Sequence, residues 1–320
     1  MIERKIPNAL IIAILTVLLF SSLLASLQVN SKLNNFIETP LEWFYGEEYM
    51  DPVTIKINEY KANGLTDEQI TVELEKLGMG WYPKTGATWM QDDQQPTLEE
   101  IKSLQPLQNP FSSAKREQEQ ANEVFGVGNP QTASYTGMYN TMYPGTLPVD
   151  TDETFQHVVT THLGKEIDED TPCWTEVGVV AWNASTYVYY FVYDVDEGGW
   201  HFYGTKSSMQ SADTYGILLD GTYDDDGWHY DIWINQNWKF SGHLAFELNQ
   251  GDVANEIWTD TGTWTADSGC CFSNCFTADN SYNWINWGTN LGFSSIHYYP
   301  TMWYSVNQVA GRYVFQSGTN

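Results

Sequence analysis

Two glutamates lie inside apolar segments of this 320-residue chain, and they are its strongest candidates for chemistry. Glu176 stands within residues 174–180, and Glu256 stands within residues 253–258. In an alternating strand such a residue either faces water or is buried, and burial raises the pKa of a carboxyl so that it can donate protons. Two such carboxyls facing each other would titrate as a pair and would activate water against a peptide or glycosidic bond without a metal.

The other residue types offer less chemistry. The sequence has no Gly-rich phosphate loop, no His-Glu-x-x-His zinc motif and no Gly-x-Ser-x-Gly nucleophile elbow. Its six histidines are scattered without metal-ligand spacing, so neither a metal nor another cofactor is predicted. Acidic loops at residues 194–196 and 224–227 carry the oxygen ligands that calcium takes, but solvated turns are the simpler interpretation.

Four cysteines suggest a disulfide framework. A thiol nucleophile or a zinc site would need partners at suitable spacing, and Cys173 stands far from Cys270, Cys271 and Cys275. In an exported chain, four cysteines usually form two disulfides. We therefore predict one local bridge to Cys275 and a second bridge that ties Cys173 to the same segment.

The charge balance excludes several classes of partner. The chain has 41 Asp and Glu against 14 Lys and Arg, a net charge of −27, and 15% of its residues are aromatic. Nucleic acids and anionic membrane surfaces are bound by clustered cations, so we expect neither as a partner. The aromatic content argues against a disordered acidic chain. The scarcity of cations fits a protein that works in acid, and equally one adapted to high salt.

The elements that must position the glutamates are strands. Residues 174–180, 187–193, 230–235 and 311–315 are rich in β-branched and aromatic side chains, and Gly- and Asp-rich turns separate such segments. No segment after residue 140 has a helical apolar stripe. The pattern predicts an all-β fold, an antiparallel β-sandwich of the jelly-roll or concanavalin-like kind, over residues 135–320.

The N-terminal part has a different character. Basic residues followed by an apolar run at 9–27 predict a signal peptide or membrane anchor within residues 1–29, and hence an extracellular, secreted or surface-anchored protein. Residues 30–134 contain short helices, which begin at Asp51 and at capping boxes at Thr66 and Thr97. We interpret them as a small helical pro-segment or as a spacer.

The order and spacing of several C-terminal segments resemble the neprosin family of glutamic peptidases. Residues 175–178 precede the aromatic run 187–193, as a Glu-x-Gly strand precedes an aromatic strand in that family. Residues 229–234 and 238–242 are similar to its Tyr-x-Ile strand and the Trp-containing strand that follows. Residues 253–257 lie where the family has its second glutamate, and they also resemble the Asn-Ala-Glu strand of the fungal glutamic peptidases, the eqolisins.

This resemblance implies a seven-stranded antiparallel sandwich with two glutamates in a concave face, an N-terminal pro-segment that makes the protein a zymogen, and acid-optimal hydrolysis of peptide bonds. By analogy Glu256 would take a proton from water as the base, and Glu176 would polarise the carbonyl and protonate the amine as the acid. Aromatic side chains would line the cleft for a peptide or protein substrate: Trp174, Tyr189, Trp233 and Trp258.

Two other functions stay open at this point. The surplus of Trp and Tyr suits a carbohydrate-binding or carbohydrate-active, lectin-like sandwich, since aromatic faces stack on sugars. A non-catalytic cell-surface protein anchored by residues 9–27 is compatible with the same pattern. If Glu176 and Glu256 point to one concave face within about one water's reach of each other, the peptidase is favoured.

Overall fold

The fold is described here from a computed structural model of the chain. The predicted signal peptide or anchor, Cys173 and the centres of both acidic loops lie outside the described residues. Within the described part, no helix is both long enough and apolar enough to cross a membrane. The described ranges are 51–91, 95–104, 121–145, 156–165, 174–182, 187–194, 199–208, 211–224, 227–245, 248–259, 269–288, 295–297, 302–309 and 311–319.

Three short helices precede most of the strands, as the sequence predicts: α1 at Pro52–Ala62, α2 at Asp67–Glu75 and α3 at Leu98–Ser103. Asp51 begins α1, because its carboxylate accepts hydrogen bonds of 2.9 Å from two backbone N–H groups of the first turn. Thr66 begins α2 with a complete capping box. These caps satisfy backbone donors that have no partner inside a helix.

Most of the described chain is β-strand, and the strands pair antiparallel throughout. In chain order they are β1 Met79–Trp81, β2 Thr88–Met90, β3 Ala121–Tyr135, β4 Gly137–Tyr143, β5 Gln156–Gly164, β6 Trp174–Trp182, β7 Tyr189–Asp194, β8 Gly199–Thr205, β9 Asp213–Asp224, β10 Gly227–Ile234, β11 Asn237–Leu244, β12 Leu248–Thr259, β13 Cys270–Ala278, β14 Trp284–Asn286, β15 Ser295–His297, β16 Met302–Val309 and β17 Arg312–Thr319.

Two sheets form a sandwich, which confirms the predicted fold class. Among the described strands, a ten-stranded sheet has the order β1-β2-β11-β10-β9-β4-β13-β17-β16, with β14 paired to β13. A seven-stranded sheet has the order β15-β3-β12-β5-β6-β7-β8. Strands β1, β2 and β3 begin before residue 135 and take part in these sheets. That residues 30–134 act as a pro-segment stays a prediction.

The main apolar core lies between the two sheets. Val159, Val177 and Val253 reach it from the seven-stranded sheet, and Ile217 and Phe272 reach it from the other sheet. Because side chains alternate along a strand, the neighbours of the three valines point to the opposite, outer face of the seven-stranded sheet. Glu176 is next to Val177, and Glu256 lies three residues from Val253, so both alternate to the outer face and the packing of the core decides which way they point.

Gly178 allows β5 and β6 to approach closely beside this outer face. A Cβ atom at this position would lie 2.2 Å from the carbonyl oxygen of Val159 and 2.8 Å from the Cα of Thr160. No other residue fits such a contact with a neighbouring backbone. The glycine of the Glu-x-Gly segment therefore sets the spacing between the strand of Glu176 and its neighbour.

The cysteine prediction needs a correction. Cys271 and Cys275 are buried free thiols on β13, so the predicted local bridge to Cys275 is absent among the described residues. The strand between them contains a β-bulge, with Asn274 at a φ of 50°. Burial raises the pKa of Cys271 to about 12 and that of Cys275 well above its ordinary value. The bridge from Cys173 stays a prediction.

Candidate active site

The outer face of the seven-stranded sheet is lined by aromatic side chains, and we call it the aromatic face. Trp200 and Phe202 stack almost in parallel, with ring centroids 6.0 Å apart and an interplanar angle of 8°. Trp174 and Tyr193 stack in the same way at 6.2 Å. Trp200 is partly exposed and the other rings of this face are at most 7% exposed, so the face is largely covered in this structure. Its aromatic members are Trp174, Trp182, Tyr189, Phe191, Tyr193, Trp200 and Phe202.

Strand register brings four ionisable side chains to this face. Glu176 on β6 is paired with His162 on β5, and His162 is paired in turn with Asp252 on β12. Residues directly opposite each other in an antiparallel sheet share a face. Glu256 lies four residues beyond Asp252 on the same strand, so its side chain points to the same side. Both predicted glutamates therefore lie on the aromatic face.

The carboxylate of Glu176 is enclosed by hydrogen-bond donors. Its side chain is only 1% exposed. Trp174 donates its indole N–H to Oε1 over 2.7 Å, and the hydroxyl of Thr160 donates to Oε2 over 3.4 Å. The Nε2 of His162 lies 3.1 Å from the same Oε2. This donor set matches an ionised carboxylate, which accepts hydrogen bonds at both oxygens. Trp174 thus holds Glu176 in place in addition to forming part of the aromatic face.

His162 is fully buried beside three carboxyls. Burial lowers its pKa, but the negative charges of Glu176, Asp252 and Glu256, together with the hydrogen bond to Glu176, outweigh burial and raise the pKa above its ordinary value. The imidazole is therefore an imidazolium at acidic pH and at the lower edge of neutrality. In the sequence this histidine is one of six scattered histidines, and only strand register reveals its acidic neighbours.

Asp252, His162 and Glu176 form a row of side chains that are paired across neighbouring strands, and Tyr193 and Trp200 continue this row. Tyr193 on β7 is opposite Glu176, and Trp200 on β8 is opposite Tyr193. Burial, followed by the charges of Glu176 and Asp194, raises the pKa of the Tyr193 hydroxyl, which therefore stays protonated. The row thus runs from acidic side chains at β12 to aromatic rings at β8.

Glu256 differs from Glu176 in exposure and in position. Its side chain is half-buried, and it is paired with Val158, which is paired with Val180 of β6. On a flat sheet the Cα atoms of Glu176 and Glu256 are about 16 Å apart, from two strand spacings and four residue steps. That spacing excludes the sharing of one proton between the two carboxyls. The glutamates share the predicted face but not a row, and strand register alone does not bring them within one water's reach of each other. Asp252 is nearer to Glu176.

Three of the four predicted substrate-binding aromatics lie on the aromatic face. Trp174 and Tyr189 belong to its buried cluster, and Trp258 points to the same side as Glu256. Trp233 lies elsewhere: it is on β10 of the ten-stranded sheet and packs with Trp238 in the cluster that α1 and α2 cover. The alternation of β10, whose neighbouring residues fill the main core, turns Trp233 away from the other three.

The segment around α3 covers part of the aromatic face. Leu104, immediately after α3, is buried in the aromatic cluster, and Ile101 packs against that cluster. Gln95 donates its side-chain amide to the backbone carbonyl of Phe202 over 2.6 Å. This N-terminal segment therefore occupies surface that a ligand of the face would need.

No three His, Cys, Asp or Glu side chains of the described residues are arranged to hold a metal ion. The predicted calcium loops at 194–196 and 224–227 fall largely outside that part of the chain.

Comparison with known proteins gives only distant structural similarities. No family model and no curated protein matches the chain. A solved structure of SCP-B, a member of the eqolisin family of peptidases in a complex with the tripeptide Ala-Ile-His, is similar at a TM-score of 0.37 and 12% identity, over 62% of this chain and 98% of that one. A Bacillus licheniformis β-glucanase is similar at a TM-score of 0.27 and 13% identity, over 43% of this chain and 62% of that one. A glycosidic hydrolase is similar at a TM-score of 0.26 and 11% identity, over 43% of this chain and 65% of that one.

Proposed function

We propose that the chain is an acid-active glutamic endopeptidase, exported or anchored at the cell surface and made as a zymogen, which cleaves peptide bonds at the aromatic face with Glu176 and Glu256. The observation that carries the proposal is the placement of both glutamates on one aromatic sheet face, with His162 between their strands. A buried carboxylate beside an imidazolium and a half-exposed carboxyl form an acid–base set that needs no metal. The stacked rings provide apolar surface for an extended peptide.

The reaction needs one ionised and one protonated carboxyl. The ionised group takes a proton from water while the water oxygen bonds to the scissile carbonyl carbon. The protonated group donates a hydrogen bond to the carbonyl oxygen and gives its proton to the amide nitrogen as the C–N bond breaks. The products are a carboxylic acid and an amine, and proton transfer through water restores the starting protonation states.

The covering segment fits a zymogen, and the cap of α3 gives a way to test it. Thr97 begins α3, since its hydroxyl accepts from the Glu100 N–H over 3.2 Å and the Glu100 carboxylate accepts from the Thr97 N–H over 2.7 Å. We expect Thr97→Ala to destabilise this helix by about 1 kcal/mol and so to increase its opening about fivefold. The rate of limited proteolysis within residues 95–104 measures this opening.

Thr66→Ala is the matched control for Thr97→Ala. Thr66 closes the same kind of capping box on α2, which does not contact the aromatic face. Only Thr97→Ala should speed both cleavage near α3 and the appearance of peptidase activity. If the two variants activate equally, or if Thr97→Ala opens α3 without any gain in activity, the covering segment does not inhibit the site.

The function itself is tested with the full chain and a denatured protein substrate between about pH 3 and pH 7. We expect new peptide ends in mass spectra, with a maximum rate in acid. Chelators should leave the rate unchanged, because the proposed acid–base set consists of carboxyls. Absence of cleavage across this range, both before and after limited proteolysis of the N-terminal segment, would contradict the peptidase.

A carbohydrate ligand is the second candidate, and one observation favours it. Trp200 is half-buried at the end of the row and lies parallel to Phe202, an arrangement that suits stacking on a sugar ring. Soluble β-glucans and other polysaccharides, added in place of the protein substrate, separate the two functions. Release of reducing ends or saturable binding that Trp200→Ala abolishes, without any peptide cleavage, would replace the peptidase by a carbohydrate-active or lectin-like protein.

A further inference from the structure

The row that crosses β12, β5 and β6 alternates in charge. Asp252 and Glu176 flank His162 directly across the two strand pairings, and Glu256 lies farther along β12. Asp252, His162 and Glu176 are 4%, 0% and 1% exposed. In such surroundings a charged group is stable only when an opposite charge or several hydrogen bonds accompany it.

We infer that His162 is the positioning residue of this site: held as an imidazolium between Asp252 and Glu176, it forms an ion pair with the Glu176 carboxylate and fixes the orientation of that carboxylate. The inference rests on the proposed function, and it deepens that function by assigning the two glutamates their parts. Its support is the 3.1 Å approach of the His162 Nε2 to the Glu176 Oε2, together with complete burial of both groups.

The donors around Glu176 suit an ionised carboxylate. The Trp174 indole N–H donates to Oε1, and the His162 Nε2 lies 3.1 Å from Oε2. The Thr160 hydroxyl lies 3.4 Å from Oε2, but its single hydrogen also has the Val177 carbonyl as an acceptor at 3.2 Å. The same donors stabilise a negative charge at both oxygens.

The roles of the two glutamates follow from this arrangement. Glu176 is the ionised carboxylate that takes the proton from water as the new C–O bond forms. Glu256, half-exposed on the same face, is the protonated group that polarises the carbonyl and gives its proton to the leaving nitrogen. This assignment is the reverse of the one that the family resemblance suggests. His162 stays paired with Glu176 as an ion pair over 3.1 Å and does not touch the substrate.

The charged and titratable groups that face His162 among the described residues are limited. They are Glu176 on β6, with Tyr193 behind it on β7, and Asp252 and Glu256 on β12. The Tyr193 hydroxyl stays protonated, so the carboxyls dominate the charge that His162 experiences. His162 should therefore titrate above its ordinary range because of its acidic neighbours, and removal of one neighbour should lower its midpoint.

Titration of His162 by NMR tests the arrangement without any need for activity. The Cε1–H signal of His162, assigned by its loss in His162→Gln, is followed from about pH 4 to pH 9 in the full chain. We expect a midpoint above the ordinary histidine value of about 6.5. We also expect Glu176→Gln to lower that midpoint by about one pH unit or more, and Asp252→Asn to lower it less. A midpoint at or below 6.5, or one insensitive to Glu176→Gln, would overturn the inference.

The pH profile of catalysis tests the consequence. His162→Gln removes the positive charge that lies 3.1 Å from the Glu176 carboxylate, so it should move the acid limb of the kcat profile upward by about one pH unit. The rate below that limb then falls about tenfold, with little change in KM. His157→Gln is the matched control, because His157 is equally buried on the same strand but points to the opposite face, within 2.5 Å of the Asn255 side-chain oxygen.

The two tests separate the inference from the function beneath it. If the wild-type chain cleaves no peptide, the proposed function fails, and the titration alone decides whether His162 is held as described. If cleavage occurs but His162→Gln and His157→Gln change only stability, leaving the acid limb in place, His162 is a structural residue and the inference is wrong. Should His162→Gln fail to fold, Asp252→Asn replaces it and is expected to shift the limb in the same direction by a smaller amount.

Discussion

Glu256→Gln is expected to lower kcat/KM for peptide hydrolysis about 10³-fold at pH 4, within the range usual for the loss of one acid–base group. The amide keeps the size of the side chain but cannot exchange a proton with the leaving nitrogen. Because Glu256 is half-buried at the surface of the sheet, the free energy of unfolding should change by less than about 1 kcal/mol. Initial rates on a fluorogenic peptide, together with urea denaturation, measure both quantities.

Two further variants make the Glu256 result specific. Glu73→Gln removes a carboxylate that is exposed on α2 and paired with Lys76, and it should leave the rate unchanged. Asp252→Asn tests the carboxyl that is nearer to Glu176 in the row, and we expect a loss of only about threefold, smaller than that of His162→Gln and far smaller than that of Glu256→Gln. A reversed order, with Asp252→Asn inactive and Glu256→Gln active, would transfer the proton donor to Asp252. Equal rates for all three variants and the wild type would remove this face from the reaction.

The strands and the glutamates could be predicted because they depend on local pattern. Alternation of apolar and polar side chains is visible in any strand, and an acidic residue inside an apolar strand stands out from solvated charge. The face to which Glu176 and Glu256 point also follows from alternation once their apolar neighbours are assigned to the core. The fold class and the shared face of the pair were therefore accessible from the sequence.

The partners of Glu176 were not accessible in the same way. His162 and Asp252 meet it only through the pairing of β5 with β6 and of β12 with β5, and a shift of one residue in either register would turn them to the other face. Nothing local in the sequence fixes that register. The distance between Glu176 and Glu256 likewise depends on strand order, because β5 is inserted between their strands.

Trp233 shows the same limit from the other direction. Its strand has the aromatic composition expected of a substrate cleft, but strand order places it in the ten-stranded sheet beneath α1 and α2. The N-terminal region was predicted to be helical, yet β2 and β3 join the two sheets through pairing with strands more than a hundred residues away, and β1 pairs with β2. Composition identifies such side chains as buried, and only long-range pairing determines what they are buried against.

A second large effect concerns stability in acid, and it depends on His201. This histidine is buried between the sheets against the rings of Trp89, Phe240 and Tyr82, with centroid distances of 5.2, 4.8 and 6.0 Å. Burial lowers its pKa to about 4. An unfolded histidine titrates near 6.5, so between about pH 6.5 and pH 4 the unfolded chain binds a proton that the folded chain does not. Stability should therefore fall across that window, by about 3 kcal/mol in total.

His162 acts with the opposite sign in another pH range. Its pKa is raised in the folded chain, so its contribution is fully present below about pH 6.5 and is lost as the pH rises through the raised value. The two histidines together predict highest stability near the pH where one contribution ends and the other begins. An acid-working enzyme gains from His162, whereas His201 opposes folding in the same acid.

His201→Phe should remove the loss in acid, because a phenyl ring fills the aromatic surroundings and takes up no proton. We compare the free energy of unfolding of the variant with that of the wild type at each pH. The difference should favour the stability of the variant by about 3 kcal/mol more at pH 4 than at pH 7. Urea denaturation at pH 4, 5.5 and 7 measures the difference, and parallel pH profiles for the two proteins would contradict it.

Tyr82 and Trp89 belong to the N-terminal segment, so a charge at His201 weakens the contact of that segment with β8 first. Acid would then loosen the region that leads to α3 while the few cations of the chain limit charge repulsion elsewhere, and the aromatic face would lose its cover before the chain loses its fold.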